Sequence, residues 1–161
     1  MSGLFSEEDL ESHYFSRSNG DEPLGTYTPL AFFLDDHNWP TIEHYYQAMK
    51  FDDTNLQTKI RQASSPKKAR KLGRTRLKKR RADWAKIKTT IMTRALYIRC
   101  KSHPCAWKAL YETDDLTLVE NSSYDYFWGC GRDRRGENHY GKALMNVRQK
   151  LREEDRQQQL E

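Results

Sequence analysis

Residues Trp39–Phe51 read WPTIEHYYQAMKF, and this stretch decides the fold around it. Thr41 is a good N-cap, and Pro40 before it stops a helix from extending backwards, so the sequence predicts a helix over residues 41–51. Apolar residues recur along it at helical spacing and form one stripe: Ile42, Tyr45, Tyr46 and Met49. A helix that is apolar and aromatic on most sides is usually buried, so we expect this one in the core.

A second stripe of the same helix is polar. Glu43, Gln47 and Lys50 are spaced at i, i+4 and i+7 and share one face. Burying a charge is unfavourable unless the charge is paired or used. The stripe therefore predicts either a buried ion pair between Glu43 and Lys50 or part of a site. In aromatic surroundings we expect Glu43 to hold its proton more readily than an ordinary glutamate, which suits an acid–base role.

The composition is that of a polar single domain. The 161 residues are 36% hydrophobic and 32% charged, and an aromatic share of 12% favours rings that line a pocket as well as fill a core. The net charge of +5 weakly favours anionic partners. No apolar run approaches the roughly 18 residues of a membrane span, so no membrane partner is expected.

The cysteines and histidines do not indicate a metal site. Cys100, Cys105 and Cys130 are an odd number without a CxxC pair, and the five histidines show no HxxxH or HxH spacing. Residues 1–10 are acidic and lack a secretion-signal pattern. We therefore expect a reduced, cytoplasmic protein that needs no metal and no cofactor.

The rest of the chain predicts a mainly α (α+β) fold, a single compact multihelical domain with a few short β-strands. Ser65 and Pro66 form a strong helix start, and Gly73 a helix end. Further helices are expected over 55–63, from near 83 until Pro104, over 104–111 and from near 141. Strands are expected over 13–17, 27–33 and 116–119, with a turn at 35–38. The ends, residues 1–11 and 153–161, are expected to be flexible.

A basic run covers Lys67–Arg81, where ten of fifteen residues are Lys or Arg. Such a run is most often a solvated helical face. It is also typical of a nucleic-acid footprint, but it lacks the interleaved aromatics of single-strand binders, so nucleic acid is possible and not favoured. A third interpretation is that one or two of these arginines reach inward to a phosphate.

A glycine-rich segment, Trp128–Asn138, precedes the last helix. Glycines before a helix start allow backbone N–H groups to approach an anion, although an ordinary turn explains them equally well. Just before this segment Asp125 is flanked by Tyr124, Tyr126 and Trp128. An aspartate among three rings is unusual for a surface loop; the alternative is an aspartate that caps a turn.

In these residues the chain resembles the NADAR family, which includes N-glycosidases of riboflavin-biosynthesis intermediates. Four blocks in order carry the resemblance: residues 39–51, 69–74, 81–88, and 118–148 with Trp128, Gly129, Asn138 and Gly141. The resemblance implies one mostly helical domain over residues 12–152 that cleaves N-glycosidic bonds to a ribose. One group of members acts on phosphoribosylated aminopyrimidines, which this chain resembles more, and another removes ADP-ribose from guanine.

The resemblance also implies site residues. The family's functional glutamate, tryptophan and aspartate fall on Glu43, Trp84 and Asp125, and its helix lysine falls on Lys50. Substrate-binding residues are expected among the following: Tyr46 and Trp128 for stacking, Gly129 and Asn138, and Arg17, Arg74 and Arg81 for phosphate. Many members carry Ser-Asn-Phe where this chain has Thr28–Phe32, which leaves the contacts of that region open.

Two chemical routes are compatible with these residues. Two carboxylates, Glu43 and Asp125, suit direct hydrolysis, one stabilising charge at the anomeric carbon and the other transferring a proton. A desolvated Lys50 amine suits attack on an open-chain sugar to give a Schiff base. The expected partner is a small phosphoribosyl aminopyrimidine, and the expected state is a monomer or small homo-oligomer. A non-catalytic module that binds ADP-ribose or nucleic acid is the competing hypothesis.

Overall fold

The computed structural model describes residues 11–161, and nearly half of this part of the chain is helical. The prediction of a mainly helical fold with a few short strands is confirmed. The helices are α1 Ile42–Ala48, α2 Thr54–Arg61, α3 Pro66–Gly73, α4 Trp84–Ser102, α5 Pro104–Tyr111 and α6 His139–Leu160. The strands are β1 Ser12–Phe15, β2 Phe32–Leu34, β3 His37–Trp39 and β4 Thr117–Glu120.

The strands form two separate pairs. β1 and β4 are parallel, with Ser12 opposite Thr117. β2 and β3 form an antiparallel hairpin whose two turn residues, Asp35 and Asp36, both have positive φ, at 51° and 64°. Positive φ at both central residues is the signature of the tight hairpin turn that matches strand twist.

Helix α1 is buried and lies at the centre of a group of packed helices. Thr41 caps it by accepting the His44 N–H at 3.3 Å, as the sequence predicts, and all seven of its residues are buried. It packs against α2, α3 and α4. Trp39 and Tyr45 meet edge to face, with ring centroids 5.2 Å apart. The expectation that this segment belongs to the core is confirmed.

The chain divides into two compact units. The first unit is contiguous, residues Arg17–Trp107, and the second comprises residues 11–16 together with Lys108–Glu161. In the second unit α6 packs on β4, and its buried face includes Tyr140, Leu144 and Val147. The prediction of one domain over residues 12–152 stays a prediction.

The structure corrects several predicted boundaries. The strand expected over 27–33 covers only Phe32–Leu34, because the backbone N–H groups of Thr26 and Tyr27 donate to the Arg17 carbonyl instead of to a strand partner. The last helix begins at His139 rather than near Gly141, and it continues to Leu160, through the segment expected to be a flexible end. Residues 1–10 of the other expected flexible end lie outside the described residues. Within residues 11–161 no helix is long and apolar enough to cross a membrane.

Candidate active site

Glu43 is buried, and its carboxylate accepts four side-chain hydrogen bonds. Its carboxylate is 2% exposed and accepts hydrogen bonds at both oxygens. Oε1 accepts from Gln47 Nε2 at 2.7 Å and from Arg70 Nε at 2.9 Å. Oε2 accepts from Thr26 Oγ1 at 2.8 Å and from Arg70 Nη2 at 3.3 Å. An ionised carboxylate has about four acceptor sites, so these bonds occupy all of them.

These contacts keep Glu43 ionised. Burial favours the neutral acid, but the adjacent Arg70 guanidinium and the hydrogen bonds from Arg70, Gln47 and Thr26 outweigh it and lower the pKa of Glu43 below its ordinary value. The expectation that Glu43 holds its proton more readily than usual is therefore wrong. The pKa is lowered because Arg70, 27 residues away in the sequence, places its guanidinium beside the carboxylate.

Arg70 ties three segments together. Besides Glu43, its guanidinium donates to Ser18 Oγ at 3.0 Å and lies 4.8 Å from the ring centroid of Tyr27. It is the arginine of the basic run that reaches inward, and the described partner there is a carboxylate. The side chain is 19% exposed, whereas most of the other basic residues from Lys67 to Arg80 are exposed.

Lys50 is buried and has a different environment from Glu43. Its ammonium lies 5.3 Å from the ring centroid of Tyr46, and within residues 11–161 no carboxylate oxygen forms an ion pair with it. Burial, followed by the nearby charge of Arg80, lowers the pKa of Lys50 to about 8, against an opposing effect of Glu43. The Glu43–Lys50 ion pair, one of the two alternatives that the sequence leaves open, is therefore not formed, because Arg70 pairs with the carboxylate.

Tyr46 connects Lys50 to Trp84. The rings of Tyr46 and Trp84 are 5.1 Å apart and tilted by 57°, and both residues are buried. Trp84 is the first residue of α4, preceded by Asp83. The structure thus brings together three of the predicted site residues, Lys50, Tyr46 and Trp84, and Glu43 acts on Lys50 electrostatically.

The three arginines predicted to hold phosphate have different surroundings. Arg81 is paired with Asp83, with bonds of 2.6 and 3.1 Å, and its backbone N–H donates to the Lys50 carbonyl at 2.8 Å. Arg74 is exposed at the end of α3. The Arg17 carbonyl accepts from the backbone of Thr26 and Tyr27.

Asp125 belongs to the second unit and has a local role there. Its Oδ1 accepts the backbone N–H groups of Phe127 and Trp128 at 3.1 and 2.8 Å. This is the turn-capping geometry that the sequence left open as the alternative to a catalytic role. The neighbouring Tyr124 is 93% exposed, so the loop presents one ring to solvent.

Gly129, Asn138 and Trp128 are built into the scaffold of the second unit. The Asn138 side chain bridges β4, donating to the Leu118 carbonyl at 2.9 Å and accepting the Glu120 N–H at 3.0 Å. A Cβ on Gly129 would lie 2.5 Å from the Glu120 carboxylate, so only glycine fits there. Trp128 is buried and meets Phe127 edge to face. Their predicted contacts with substrate stay predictions.

Comparison with known proteins gives the family. The family model described as the NADAR domain matches residues 4–152. The chain belongs to the NADAR family. It is 41% identical over 137 residues to an N-glycosidase of Nostoc punctiforme, covering 81% of this chain and 88% of that protein. N-glycosidase YbiA of Escherichia coli is 33% identical over 144 residues, covering 89% of this chain and 90% of that protein.

A solved structure and a plant protein are also similar to this chain. The NMR structure of the E. coli protein YbiA matches with a TM-score of 0.80 at 34% identity, over 89% of this chain and 86% of that one. The chloroplastic riboflavin biosynthesis protein PYRR of Zea mays is 36% identical over 143 residues, which are 80% of this chain and 23% of that longer protein. The NADAR fold is thus shared by curated N-glycosidases and riboflavin biosynthesis proteins.

Two residues around Glu43 were not predicted as partners of its carboxylate: Thr26 and Arg70. Gln47 belongs to the polar stripe that the sequence predicts as an ion pair or part of a site, one helical turn from Glu43. Arg70 carries only a weak signal, its place between the two small buried residues of α3, Ala69 and Gly73. Nothing local in the sequence marks Thr26.

Proposed function

We propose that this protein hydrolyses the ribosyl C–N bond of phosphoribosylated aminopyrimidines and releases ribose 5-phosphate. The chain is a hydrolase of N-glycosyl bonds, the class in which its curated NADAR relatives are named. The names of the related riboflavin biosynthesis proteins support the pyrimidine substrate.

The observation that carries the proposal is the state of Lys50. A buried amine with a pKa of about 8 and no carboxylate partner within residues 11–161 is partly neutral near neutral pH. A neutral lysine amine is a nucleophile for carbonyl and imine carbons. Glu43, in contrast, is ionised and has its acceptor sites filled, which makes it a poor proton donor and favours the Schiff-base route.

The reaction then proceeds by exchange of amines at the sugar carbon. A ribosylamine opens to the imine formed between the pyrimidine amine and C1 of the sugar. The Lys50 Nζ lone pair forms a bond to C1, and a proton passes from Nζ to the pyrimidine nitrogen. The pyrimidine nitrogen takes a second proton from a general acid as the C1–N bond breaks, so that a neutral amine leaves and C1 stays bonded to Lys50 as an iminium; the acid regains a proton when water adds to C1. Water adds to C1, and expulsion of the Lys50 amine releases the aldehyde of ribose 5-phosphate.

Nearby charges supply the electrostatics of this route. Glu43 acts on Lys50 as a negative charge and therefore favours the positively charged iminium. A catalytic role for Asp125 stays a separate proposal, which rests on the family resemblance alone. Tyr46 and Trp84 exclude water from the amine, and Trp84 is proposed to stack on the pyrimidine.

Arg17 and Arg74 are the proposed phosphate ligands. Burial raises the pKa of the Tyr27 hydroxyl, while three guanidinium groups act against that rise: Arg70, Arg74 and Arg17. Arg74 also acts on Lys50. Arg74 therefore contributes a positive potential at both Tyr27 and Lys50, and Arg17 contributes one at Tyr27, which attracts an anion. Arg81 is the weaker candidate because Asp83 already binds its guanidinium.

The proposal is tested by measuring the release of ribose 5-phosphate and by trapping the covalent intermediate on Lys50. The protein is incubated with the two phosphoribosylaminopyrimidine intermediates, and ribose 5-phosphate is measured with and without borohydride, which reduces an iminium to a stable secondary amine. We expect release, inactivation by borohydride only when substrate is present, and a pentose phosphate mass on Lys50. Lys50→Arg keeps the charge and is expected to give neither release nor adduct. Release without any adduct would favour direct hydrolysis, and no release would exclude these substrates.

A second candidate activity is removal of ADP-ribose from guanine in nucleic acid. It is favoured by the exposed basic side chains around α3: Lys67, Lys68, Lys71, Arg74, Arg76, Lys79 and Arg80. Binding through phosphates weakens steeply with salt, so this activity would fall between 50 and 200 mM salt, and less steeply after charge neutralisation. Activity on a small metabolite is expected to change little. A non-catalytic binding module is disfavoured by the curated N-glycosidases of the family.

A further inference from the structure

Gln47 and Gly73 lie where α1 and α3 pack together, and neither has an assigned role. Gln47 is 4% exposed near the C-terminal end of α1, and Gly73 is a buried residue at the end of α3. The Gln47 amide lies between the two helices and donates a hydrogen bond to the Glu43 carboxylate.

The orientation of the Gln47 amide follows from Glu43. An ionised carboxylate only accepts hydrogen bonds, so the amide nitrogen must face it. The 2.7 Å bond from Nε2 to Glu43 Oε1 therefore turns Gln47 Oε1 away, and within residues 11–161 that buried oxygen has no hydrogen-bond partner. An unbonded buried oxygen is unfavourable, so the bond to Glu43 must compensate for it.

Gly73 provides the space for this orientation. A Cβ placed on Gly73 would overlap Gln47 Oε1 and would lie 2.7 Å from Cδ and 2.8 Å from Cβ of the same side chain. Gly73 has an ordinary helical backbone, so glycine is required here for space and not for conformation. Any larger residue at position 73 would push the Gln47 side chain out of its position.

We infer that Gln47 is a positioning residue, which holds the Glu43 carboxylate in place for the reaction, and that Gly73 keeps Gln47 in register. The inference rests on the proposed function, because Glu43 matters to catalysis only as the negative charge that acts on Lys50. Thr26 and Arg70 bind the remaining sites of the carboxylate, so Gln47 fixes one of its oxygens from α1 itself.

The experiment uses Gln47→Met and Gly73→Ala, with Gly20→Ala as the matched control. Met has a similar length and no donor, and a Cβ on Gly20 meets no atom within 4 Å. The pKa of Glu43 is measured by carbon NMR of its carboxyl group, alongside kcat and KM. Both variants are expected to raise the pKa of Glu43 by about one unit. They are also expected to lower kcat about tenfold, with KM nearly unchanged, because the still ionised carboxylate is no longer held in place to stabilise the iminium. Gly20→Ala should match the wild type.

A purely structural role for Gln47 would lower the melting temperature and leave kcat unchanged, which would overturn the inference. If Gly73→Ala does not fold, the pKa and kcat of Gln47→Met decide alone. If the wild type releases no ribose 5-phosphate, the proposed function fails, whereas a raised pKa of Glu43 in Gln47→Met still supports its positioning by Gln47.

Discussion

Helix α1 and the loop of residues 121–138 both carry a predicted catalytic carboxylate, and they hold it in opposite ways. Glu43 is bound by side chains from distant segments, Thr26 and Arg70, and by Gln47. Asp125 is bound by the backbone of the next few residues, Phe127 and Trp128. The helix therefore depends on long-range packing for its chemistry, whereas the loop supplies its own support.

The loop is also ordered by its own backbone. Glu137, Asn138 and Gly136 donate to carbonyls of residues 126, 129 and 130. These backbone hydrogen bonds hold the end of the loop against its own middle. The two carboxylates differ in what holds them. A substitution around α1 should therefore alter the charge of Glu43 and the reactivity of Lys50, whereas a substitution of Asp125 should first alter the stability of the loop.

Removal of the Lys50 amine should have the largest effect. Lys50→Met is expected to lower kcat/KM for ribose 5-phosphate release on the order of 10⁴-fold, as loss of a nucleophile does in other enzymes. Lys59→Met, on the exposed face of α2, is the control and should retain full activity. Comparable activity in both variants would contradict the role of Lys50.

Neutralisation of Glu43 should have the largest effect on stability. Glu43→Gln leaves the Arg70 guanidinium without its counter-charge, so we expect the free energy of unfolding to fall by roughly 3 kcal/mol. Glu112→Gln removes an exposed carboxylate that pairs with Lys108 at 3.6 Å, and it should change stability by less than about 0.5 kcal/mol. Urea unfolding measures both, and equal effects would remove the contrast between the buried and exposed carboxylates.

The loop carboxylate should show a smaller, local effect. Asp125→Ala removes the acceptor of two backbone N–H groups and should cost about 1 kcal/mol of stability. Asp125→Asn keeps an oxygen acceptor and should unfold close to the wild type. Because Asn lacks the charge, a loss of activity in Asp125→Asn would isolate a catalytic role from the capping role.

The smallest effect concerns the pH dependence. The reactive form of Lys50 is the neutral amine, so kcat/KM should fall about tenfold per pH unit below its pKa of about 8 and level off above it. Arg80 is a positive charge that lowers this pKa. Arg80→Gln should therefore raise the pKa of Lys50 and move the midpoint of the profile to higher pH. Lys79→Gln is the control, and an unshifted profile in Arg80→Gln would contradict the assignment of the titration to Lys50.

Local signals in the sequence predict much of the fold. Thr41 and Ser65 cap their helices as expected, each accepting a backbone N–H three residues on. The predicted strand over residues 27–33 fails because Thr26 and Tyr27 bind the Arg17 carbonyl, a contact over ten residues that no periodicity shows. Boundaries set by neighbouring residues are predictable, and those set by remote partners are not.

The same distinction between local and remote partners applies to the candidate site. The stripe of Glu43, Gln47 and Lys50 follows from helical spacing, and their burial follows from the surrounding aromatics. The ionised state of Glu43 does not follow from the sequence. The direction of its pKa shift depends on whether an arginine reaches the carboxylate, and the sequence does not show which of the many arginines does so. Arg70 is identified only by the packing of α3 on α1.

The parallel pairing of β1 with β4 has a consequence for folding on the ribosome. Ser12 finds its partner Thr117 only after more than a hundred further residues have been synthesised. The contiguous unit Arg17–Trp107 has all of its residues available earlier. Because closing a long loop is slow, we expect helix α1 and its charged groups to assemble first and the β1–β4 pair to form as a late, rate-limiting step.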